Sequence, residues 1–520
     1  MPITSRRGLC IHRRTLDRYL REPQKSTESS PGLIAGGRHT GGSMYGSTRR
    51  DLLAASGAMA AFAAINSGFF RTASAYYQPV HIRRDVGAMQ PDDPVLVTYR
   101  AAVEAMHALP TSDRRSWRGQ AEIHLDFCPH GNWFFLPWHR AYLYYFEEIC
   151  RELAGDDTFA LPYWNWTIDP QLPATFWGAT NPLDPDRWND PDNLVPPGPP
   201  WRGVGSNDSA DATFVGATVI QDILDETDFE QFASFKSSAP RPTQPPFGGY
   251  GDLEGTPHNY VHGFVGGHMG DFLSPLDPIF WLHHCNIDRL WAEWNAPPLG
   301  NANTADSDWL DFEFAQDFVD RNGNAAPINV SATEQTTALG YVYDTVPALV
   351  AQPLAARAPV ALMAERVEER YQATNERPTR LLQPTGIAVA TTMPVIPDAV
   401  MTLDARARTA AGRRVLARLT DISPPATTAG FYVNVFVNCP YLTAETPTND
   451  PHYATSFAFF GHPHAEPAFS VDITEPLTRL NRLGRPATDQ IEVQLLPLPI
   501  PGREPRDVDF TVGKVEIIVV

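Results

Sequence analysis

The stretch that decides the fold is residues 277–291, which read DPIFWLHHCNIDRLW. Apolar side chains recur in it at helical intervals, so we expect a helix from Pro278 to Trp294. Two histidines, His283 and His284, lie side by side within this pattern. Adjacent positions on a helix point about 100° apart, so only one of the two can face a metal that other residues share.

A histidine pair upstream supplies the partners for such a metal. His258 and His262 are four residues apart in a predicted helix from Thr256 to Phe264, which places both side chains on one face, one turn apart. We choose His284 as the third ligand. His283 is the alternative, and we expect it to pack beside the site.

Other residues near this group are not expected to bind the metal themselves. Asp288 or Asp277 is expected to orient an imidazole through its remaining N–H. His268, in a glycine-rich turn, is expected to be a loop residue without a metal.

A second group of histidines lies earlier in the chain. His124, His130 and His139 fall among Trp, Phe and Leu, where an unpaired imidazole would be costly to bury. Three neutral imidazoles without a carboxylate favour copper over a hydrolytic zinc site. His107, further upstream, is interpreted as an ordinary residue and is the alternative to His124.

The rest of the chain divides into a helical part and a strand-rich part. Apolar spacing predicts helices over 92–109 and 138–153, and the segment 361–374 is a further helix candidate. From Gly386 onward, strand patterns dominate. The expected architecture is a mainly α domain with long loops, followed by an all-β sandwich.

Composition limits the function classes. The chain has 520 residues, a net charge of -19 and a pI near 5.2, which argues against nucleic acid and anionic membranes as partners. Small neutral substrates stay open. The cysteines are odd in number and scattered, so no disulfide framework is expected. They are Cys10, Cys128, Cys150, Cys285 and Cys439.

The N-terminus has the pattern of an export signal. Arg49 and Arg50 precede an Ala-rich apolar run, and Ala73-Ser74-Ala75 suits a cleavage site. Residues 44–75 are therefore interpreted as a twin-arginine signal peptide that directs the protein to the periplasm or the exterior. Residues 1–43 are interpreted as a basic polar extension, with Met44 as an alternative translation start. No membrane segment is expected in the mature form.

Three segments together resemble one known family. They are Cys128-Pro129-His130 with Trp138 to Leu143, Pro257 to His262, and Ser274 to Trp291. In this order they closely resemble the tyrosinase, polyphenol oxidase and hemocyanin family of type 3 copper proteins, in a bacterial subgroup with a plant-like C-terminal domain.

The resemblance implies two copper ions and dioxygen as co-substrate. His124, His130 and His139 would bind the first copper, and His258, His262 and His284 the second. It also implies an antiparallel four-helix bundle around the site in a catalytic domain at 76–350, a linker at 351–378 and a β-sandwich at 379–520. By resemblance, this sandwich either covers the active site of a latent enzyme or only stabilises it.

Further residues take functions by the same resemblance. Cys128 would form a thioether with His130, and Glu254 and Asn259 would be catalytic, holding a water that deprotonates monophenols. Phe272 and Gly263 would be gate or substrate-pocket residues. Arg83 or Arg84 would contact the tyrosine motif Tyr341-Val342-Tyr343.

The implied function is copper-dependent oxidation of small phenols by dioxygen. Monophenols would be hydroxylated to o-diphenols, and o-diphenols oxidised to o-quinones. The alternatives are a catechol oxidase or o-aminophenol oxidase without monophenolase activity, and a hemocyanin-like oxygen carrier.

Overall fold

The computed structural model describes residues 80–188, 202–237, 248–347, 369–391, 414–425, 430–460, 467–485, 490–500 and 508–519. The polar extension and the signal segment lie outside these residues. Residues 76–520 cluster as one compact unit. In its described part, most helices precede residue 311 and the large sheets follow residue 368. This order agrees with the expected one, while the domain limits stay predictions.

Helices form most of the first part of the chain. The described helices are α1 (Pro94–Ala108), α2 (Trp117–Phe127), α3 (Phe135–Ala154), α4 (Ala212–Val215), α5 (Ala217–Leu224), α6 (Phe229–Phe232), α7 (Asn259–Val265), α8 (Ile279–Asn295), α9 (Ser307–Leu310) and α10 (Thr474–Arg482). Helices α1, α3 and α8 lie within a few residues of their predicted bounds. Their arrangement as a four-helix bundle stays a prediction.

The ends of the two longest early helices follow local sequence signals. The Asp93 side chain accepts a hydrogen bond from the Val95 N–H at 3.0 Å, and Pro94 occupies the first position of α1. Helix α3 ends at Gly155, whose φ of 68° is left-handed and favours glycine. Both helices therefore begin and end where local chemistry directs them.

The histidine-bearing segment near residue 258 departs from a plain helix. A π-helical turn, Glu254–His258, precedes α7 and contains Pro257. Proline has no N–H to give to a helix, which suits it to an irregular turn. The turn keeps Glu254 and His258 both fully buried.

Helix α2 was not predicted from the sequence. Its buried face includes Gly119, Gln120 and His124 beside apolar residues, so the apolar period is weak. Gly119 packs closely: a Cβ there would lie 2.6 Å from the Asp113 carbonyl oxygen. The helix therefore depends on a close backbone contact that a hydrophobic pattern does not show.

The strands form two small ribbons and two larger sheets. The strands are β1 (His81–Arg83), β2 (Glu313–Phe314), β3 (Ile328–Asn329), β4 (Tyr341–Tyr343), β5 (Glu369–Thr374), β6 (Thr385–Ala390), β7 (Val415–Ser423), β8 (Phe431–Val437), β9 (Tyr453–Phe457), β10 (Phe469–Asp472), β11 (Gln490–Pro499) and β12 (Thr511–Val519). One four-stranded antiparallel sheet has the order β10-β7-β12-β5, and the other β6-β11-β8-β9. Inward side chains of both sheets share one core, including Val389, Ala417 and Val515, so they form a sandwich.

The predicted helix at 361–374 is wrong for its described part. Residues Glu369–Thr374 form the edge strand β5, paired antiparallel with β12. Tyr371 and Ala373 pack on the sandwich core, an alternation of period two that belongs to a strand. The strand also lies inside the predicted linker, so the C-terminal sheet begins before residue 379.

The sandwich contacts the helical part directly. Ala458 and Ile500 belong to the helical core, and Tyr250 belongs to the sandwich core. The Arg414 guanidinium lies 2.6 Å from the Glu226 carboxylate across the boundary, and both side chains are largely buried. In the described part of the chain, no helix is long and apolar enough to cross a membrane.

A buried network of charged and aromatic side chains joins strand β1, near the start of the helical part, to strand β4, near its end. Strand β1 pairs in parallel with β4, which places the Arg83 guanidinium 3.7 Å from the ring centre of Tyr341. Arg83 also donates to the Tyr343 hydroxyl at 3.1 Å and pairs with Asp288. Arg84 pairs instead with Asp93 near the surface. Of the two predicted arginines, Arg83 is therefore the one that contacts the tyrosine motif.

Candidate metal centre

The first three predicted histidines converge in the structure. His124 lies in the last turn of α2, His139 in α3, and His130 in the loop between these helices. One ring nitrogen from each lies within 4.8 Å of the others, and all three side chains are buried. These three residues are called the first triad.

Backbone carbonyls fix two rings of the first triad. His124 Nδ1 lies 2.7 Å from the Phe272 carbonyl oxygen, and His139 Nδ1 lies 2.8 Å from that of Phe135. A carbonyl only accepts, so Nδ1 carries the proton and Nε2 keeps its lone pair. The Nε2 atoms of His124 and His139 lie 3.4 Å apart. Their lone pairs therefore point into one small space.

The second group is built in a similar way. His258 Nδ1 lies 2.9 Å from the Asn259 side-chain oxygen, and His262 Nδ1 lies 2.6 Å from the Met269 carbonyl oxygen. His262 Nε2 is 3.3 Å from His284 Nε2. His258, His262, His283 and His284 bring ligand atoms within 4.8 Å of one another.

The hydrogen bonds distinguish the two adjacent histidines. The Trp166 indole N–H donates to His283 Nδ1 at 3.3 Å. Indole is only a donor, so a neutral His283 carries its own proton on Nε2 and has no lone pair left for a metal. His284 instead faces His262, and its ring stacks on that of His139 at 4.3 Å. This geometry favours His284, and we call His258, His262 and His284 the second triad.

The two triads face each other. The rings of His130 and His258 stack with centres 5.5 Å apart. The Nε2 atoms of both residues are buried without a hydrogen-bond partner. A buried nitrogen without a partner is costly, and a metal ion would satisfy it.

Burial keeps these imidazoles neutral. It lowers the pKa of His124 to about 3. It also lowers the pKa of His130, His139, His262 and His284 well below the usual value, and neighbouring imidazoles add to the effect. Neutral rings have lone pairs to offer a cation at pH 7.

The other histidines lie elsewhere. His107 stacks between Trp188, at 3.7 Å, and Trp117, at 5.4 Å, and is not part of either group. His268 is buried in a 3-10 turn and is not in them either. The geometry thus favours His124 over its alternative His107.

Cys128 lies beside the first triad. Its Sγ is 3.4 Å from His130 Nδ1, and the side chain is buried. The four described cysteines, Cys128, Cys150, Cys285 and Cys439, are free of disulfides. Cys150 and Cys285 are residues of the helical core.

Glu254 is the carboxylate between the triads. One of its oxygens groups with nitrogens of His130 and His258 within 4.8 Å. The Gly131 N–H donates to both carboxylate oxygens, at 3.0 and 3.1 Å, and the Ser234 hydroxyl contacts the second oxygen. Burial raises the pKa of Glu254 well above its usual value, while these hydrogen bonds oppose the rise.

Asn259 bridges the site and the sandwich. Its side-chain oxygen accepts from His258, and its amide donates to the Ala458 carbonyl oxygen at 2.9 Å. Asn259 thus orients a ring of the second triad. Sequence reasoning assigned it only to a water.

The two predicted pocket residues differ in position. The Phe272 ring lies 5.4 Å from that of His130, on the side of the first triad. A Cβ on Gly263 would lie 3.5 Å from Ile500 Cδ1, so this glycine faces the sandwich. Phe272 therefore borders the site, whereas the contact of Gly263 is with the sandwich.

Phe460 was missed by sequence reasoning. This residue follows β9 of the sandwich. The centre of its ring lies 4.2 Å from that of the His262 ring and 4.8 Å from that of the His130 ring. It also contacts Phe272 at 5.5 Å and is buried. A phenylalanine in a strand-rich segment carries no local signal that would direct it to a distant site.

Comparisons with known proteins agree with this site. Residues 99–297 match the family model for the common central domain of tyrosinase. A chloroplastic polyphenol oxidase of Malus domestica is 35% identical over 294 residues, covering 51% of this chain and 49% of that protein. Tyrosinase HcTyr1 of a Hahella species is 28% identical over 502 residues, covering 82% and 97%.

A solved structure shows a similar fold. The structure of latent apple tyrosinase aligns with a TM-score of 0.60 and 24% identity, covering 85% of this chain and 97% of that chain. The match to the curated plant relatives spans only about half of their length. Residues 99–297 therefore match the common central domain of tyrosinase, and the chain is similar to plant polyphenol oxidases and to a bacterial tyrosinase, as in the type 3 copper family.

Proposed function

We propose that this protein oxidises small phenols with dioxygen at two copper ions, one held by each triad. It would hydroxylate monophenols to o-diphenols and oxidise o-diphenols to o-quinones. The observation that carries the proposal is the pair of facing triads, with four of the six Nε2 atoms in close pairs and the other two unpartnered. A set of ligands made only of imidazoles is a kind that copper accepts.

The residues present fit a copper pair. Six neutral imidazoles would hold it, three for each ion, and Glu254 is the carboxylate near them. When bound, the pair would supply the two electrons that reduce dioxygen together. The surrounding Phe and Trp side chains exclude water and offer aromatic surface to a phenol ring.

Glu254 is proposed as the proton acceptor for monophenols. A monophenol must lose its phenolic proton before hydroxylation, and a carboxylate can take it through one water. Glu254 is buried between one histidine of each triad, which supports this function. Asn259 would orient His258 and, with its amide, the same water. Loss of this pair would leave a catechol oxidase.

The sandwich is proposed to keep the enzyme latent. Phe460 covers rings of both triads, and Ala458 binds the Asn259 amide. The Ala458 N–H also donates to the Gly255 carbonyl oxygen at 3.1 Å, so both backbone groups of Ala458 are bound to the segment that carries His258. A phenol could reach the triads only after Phe460 moves. Phe272 would then border its path.

A thioether between Cys128 and a carbon of the His130 ring is a further proposal. It would replace one S–H and one C–H bond and would need a two-electron oxidant, for which dioxygen suffices. The 3.4 Å approach of Sγ to the ring supports it. Mass spectrometry of the peptide should show the loss of two hydrogen atoms.

Export by the twin-arginine route likewise stays a prediction.

Oxygen uptake tests the proposed function. The full chain, loaded with copper, is assayed on a monophenol and its matching o-diphenol, before and after detergent or protease activation. Uptake on both substrates after activation supports the proposal. Uptake on the o-diphenol alone would make the protein a catechol oxidase, and no uptake on either would contradict phenol oxidation. Copper-free protein is the control.

A further inference from the structure

Ser234 is a buried residue that the function above does not use. Its hydroxyl oxygen forms a hydrogen bond with the second carboxylate oxygen of Glu254. The Gly131 N–H reaches the same carboxylate from the first-triad loop. Ser234 and Glu254 are both fully buried, so no solvent competes for these contacts.

The backbone around Ser234 is held on two sides. Ser234 forms a β-bridge with Tyr250, and the Phe235 N–H donates to the Gly249 carbonyl oxygen at 3.0 Å. The Trp133 N–H in turn donates to the Phe235 carbonyl oxygen at 3.0 Å. These bonds tie Ser234 to the segment that carries His130. The backbone at Ser234 is therefore held in place, which fixes the point from which its hydroxyl reaches Glu254.

The hydroxyl has two acceptors within reach. Besides Glu254, the Ala233 carbonyl oxygen lies 2.5 Å from Ser234 Oγ. A hydroxyl has one proton to donate and lone pairs that accept. It can donate to a charged Glu254, or accept from a protonated Glu254 while it donates to Ala233. The carboxyl group thus keeps a partner in the same place whether or not it carries a proton.

We propose that Ser234 is a positioning residue that holds Glu254 in place for the deprotonation of monophenols. The inference rests on the proposed function of Glu254. In that step the phenolic O–H bond breaks, an O–H bond forms on the carboxylate through one water, and no electrons move. Without the hydroxyl, the carboxylate can rotate about its remaining contact with Gly131. A displacement of about 1 Å can lower a rate about 100-fold.

The experiment compares substitutions in the full, activated, copper-loaded chain. Ser234→Ala and Ser234→Cys remove the strong hydroxyl donor, whereas Ser234→Thr keeps it. We expect Ala and Cys to lower kcat for the monophenol about 10-fold or more, with a smaller change for the o-diphenol. Thr should restore most of the monophenol rate. Ser470→Ala, at a buried serine of β10, is the matched control.

Three outcomes of this comparison would overturn the inference, and they are distinguishable. If Glu254→Gln lowers monophenol turnover but Ser234→Ala and Ser234→Cys do not, Ser234 has no positioning function. If Glu254→Gln itself leaves monophenol turnover unchanged, the proposed function of Glu254 fails, and the inference with it. Equal losses on both substrates, with no rescue by Thr, would show a merely structural serine.

Infrared spectra of the copper-free protein give a measurement independent of turnover. The carboxyl bands of Glu254 are identified as those that Glu254→Gln removes. Ser234→Ala should shift these bands, because it removes a hydrogen bond to the group, and Ser234→Thr should not. Unshifted bands in Ser234→Ala would contradict the contact on which the inference depends.

Discussion

At the scale of single residues, hydrogen-bond chemistry decides which imidazoles can bind metal. His124, His139 and His262 give their Nδ1 protons to backbone carbonyls, so their Nε2 lone pairs face inward. Trp166 imposes the opposite state on His283. Two neighbouring histidines that are both buried therefore differ in their capacity to bind a metal ion. One donor, Trp166, makes the difference.

Substitution of His283 and His284 one at a time tests which of them binds copper. His284→Ala should lower copper content from two ions toward one per chain, because it removes a ligand of the second triad. His283→Ala should keep both ions and weaken affinity by no more than the ~10- to 100-fold typical of an outer partner. Elemental analysis after dialysis measures both. Equal copper loss in the two variants would contradict the assignment.

At the scale of elements, the segment after β9 links the sandwich to the site. The ring of Phe460 turns toward the triads, whereas that of its neighbour Phe459 packs in the sandwich core. Adjacent residues of an extended segment point to opposite sides, which explains this division. One segment thus stabilises the sandwich and covers the site.

Matched substitutions of these two phenylalanines test latency. Phe460→Ala should raise the o-diphenol rate of the untreated full chain on the order of 10-fold, because the covering ring is gone. Phe459→Ala should leave this rate low. Each change should lower the free energy of unfolding by about 3–5 kcal/mol. A rate rise in both variants would mean that activation follows general destabilisation, and not removal of the Phe460 ring.

At the scale of the whole molecule, buried neutral histidines make the fold sensitive to acid. Burial lowers the pKa values of His107 and His124 to about 3, from the ordinary value of 6.5. The unfolded chain then binds more protons than the folded chain between these values. Stability is complete above about pH 6.5 and is lost as the pH falls. Glu226, whose pKa burial raises to about 7, acts in the opposite direction.

The expected result is a lower unfolding temperature of the copper-free protein at pH 5.5 than at pH 7.5. At pH 5.5, each histidine whose pKa is lowered as far as that of His107 would reduce the free energy of unfolding by about 1.4 kcal/mol. The buried histidines outnumber the opposing carboxyl groups, so the net change should follow them. Calorimetry measures it, with His107→Phe as a variant that reduces the slope. An unfolding temperature that rises on acidification would contradict the prediction.

The sequence by itself determined the parts that depend on near neighbours. The i, i+4 pair His258 and His262, the helix that carries His284, and the change from helical to strand patterns all follow from local periodicity. Local periodicity did not predict helix α2 or strand β5. The buried polar face of α2 and the sheet partner of β5 are not local properties of the sequence.

Only the tertiary structure decided the rest. The choice of His124 over His107 and of His284 over His283 depends on partners such as Phe272 and Trp166, which lie over a hundred residues away in the chain. Phe460 and Ser234 reach the site from distant segments. The physical reason is that a hydrogen-bond partner or a covering ring is set by folding in space, whereas sequence patterns report only what neighbours along the chain prefer.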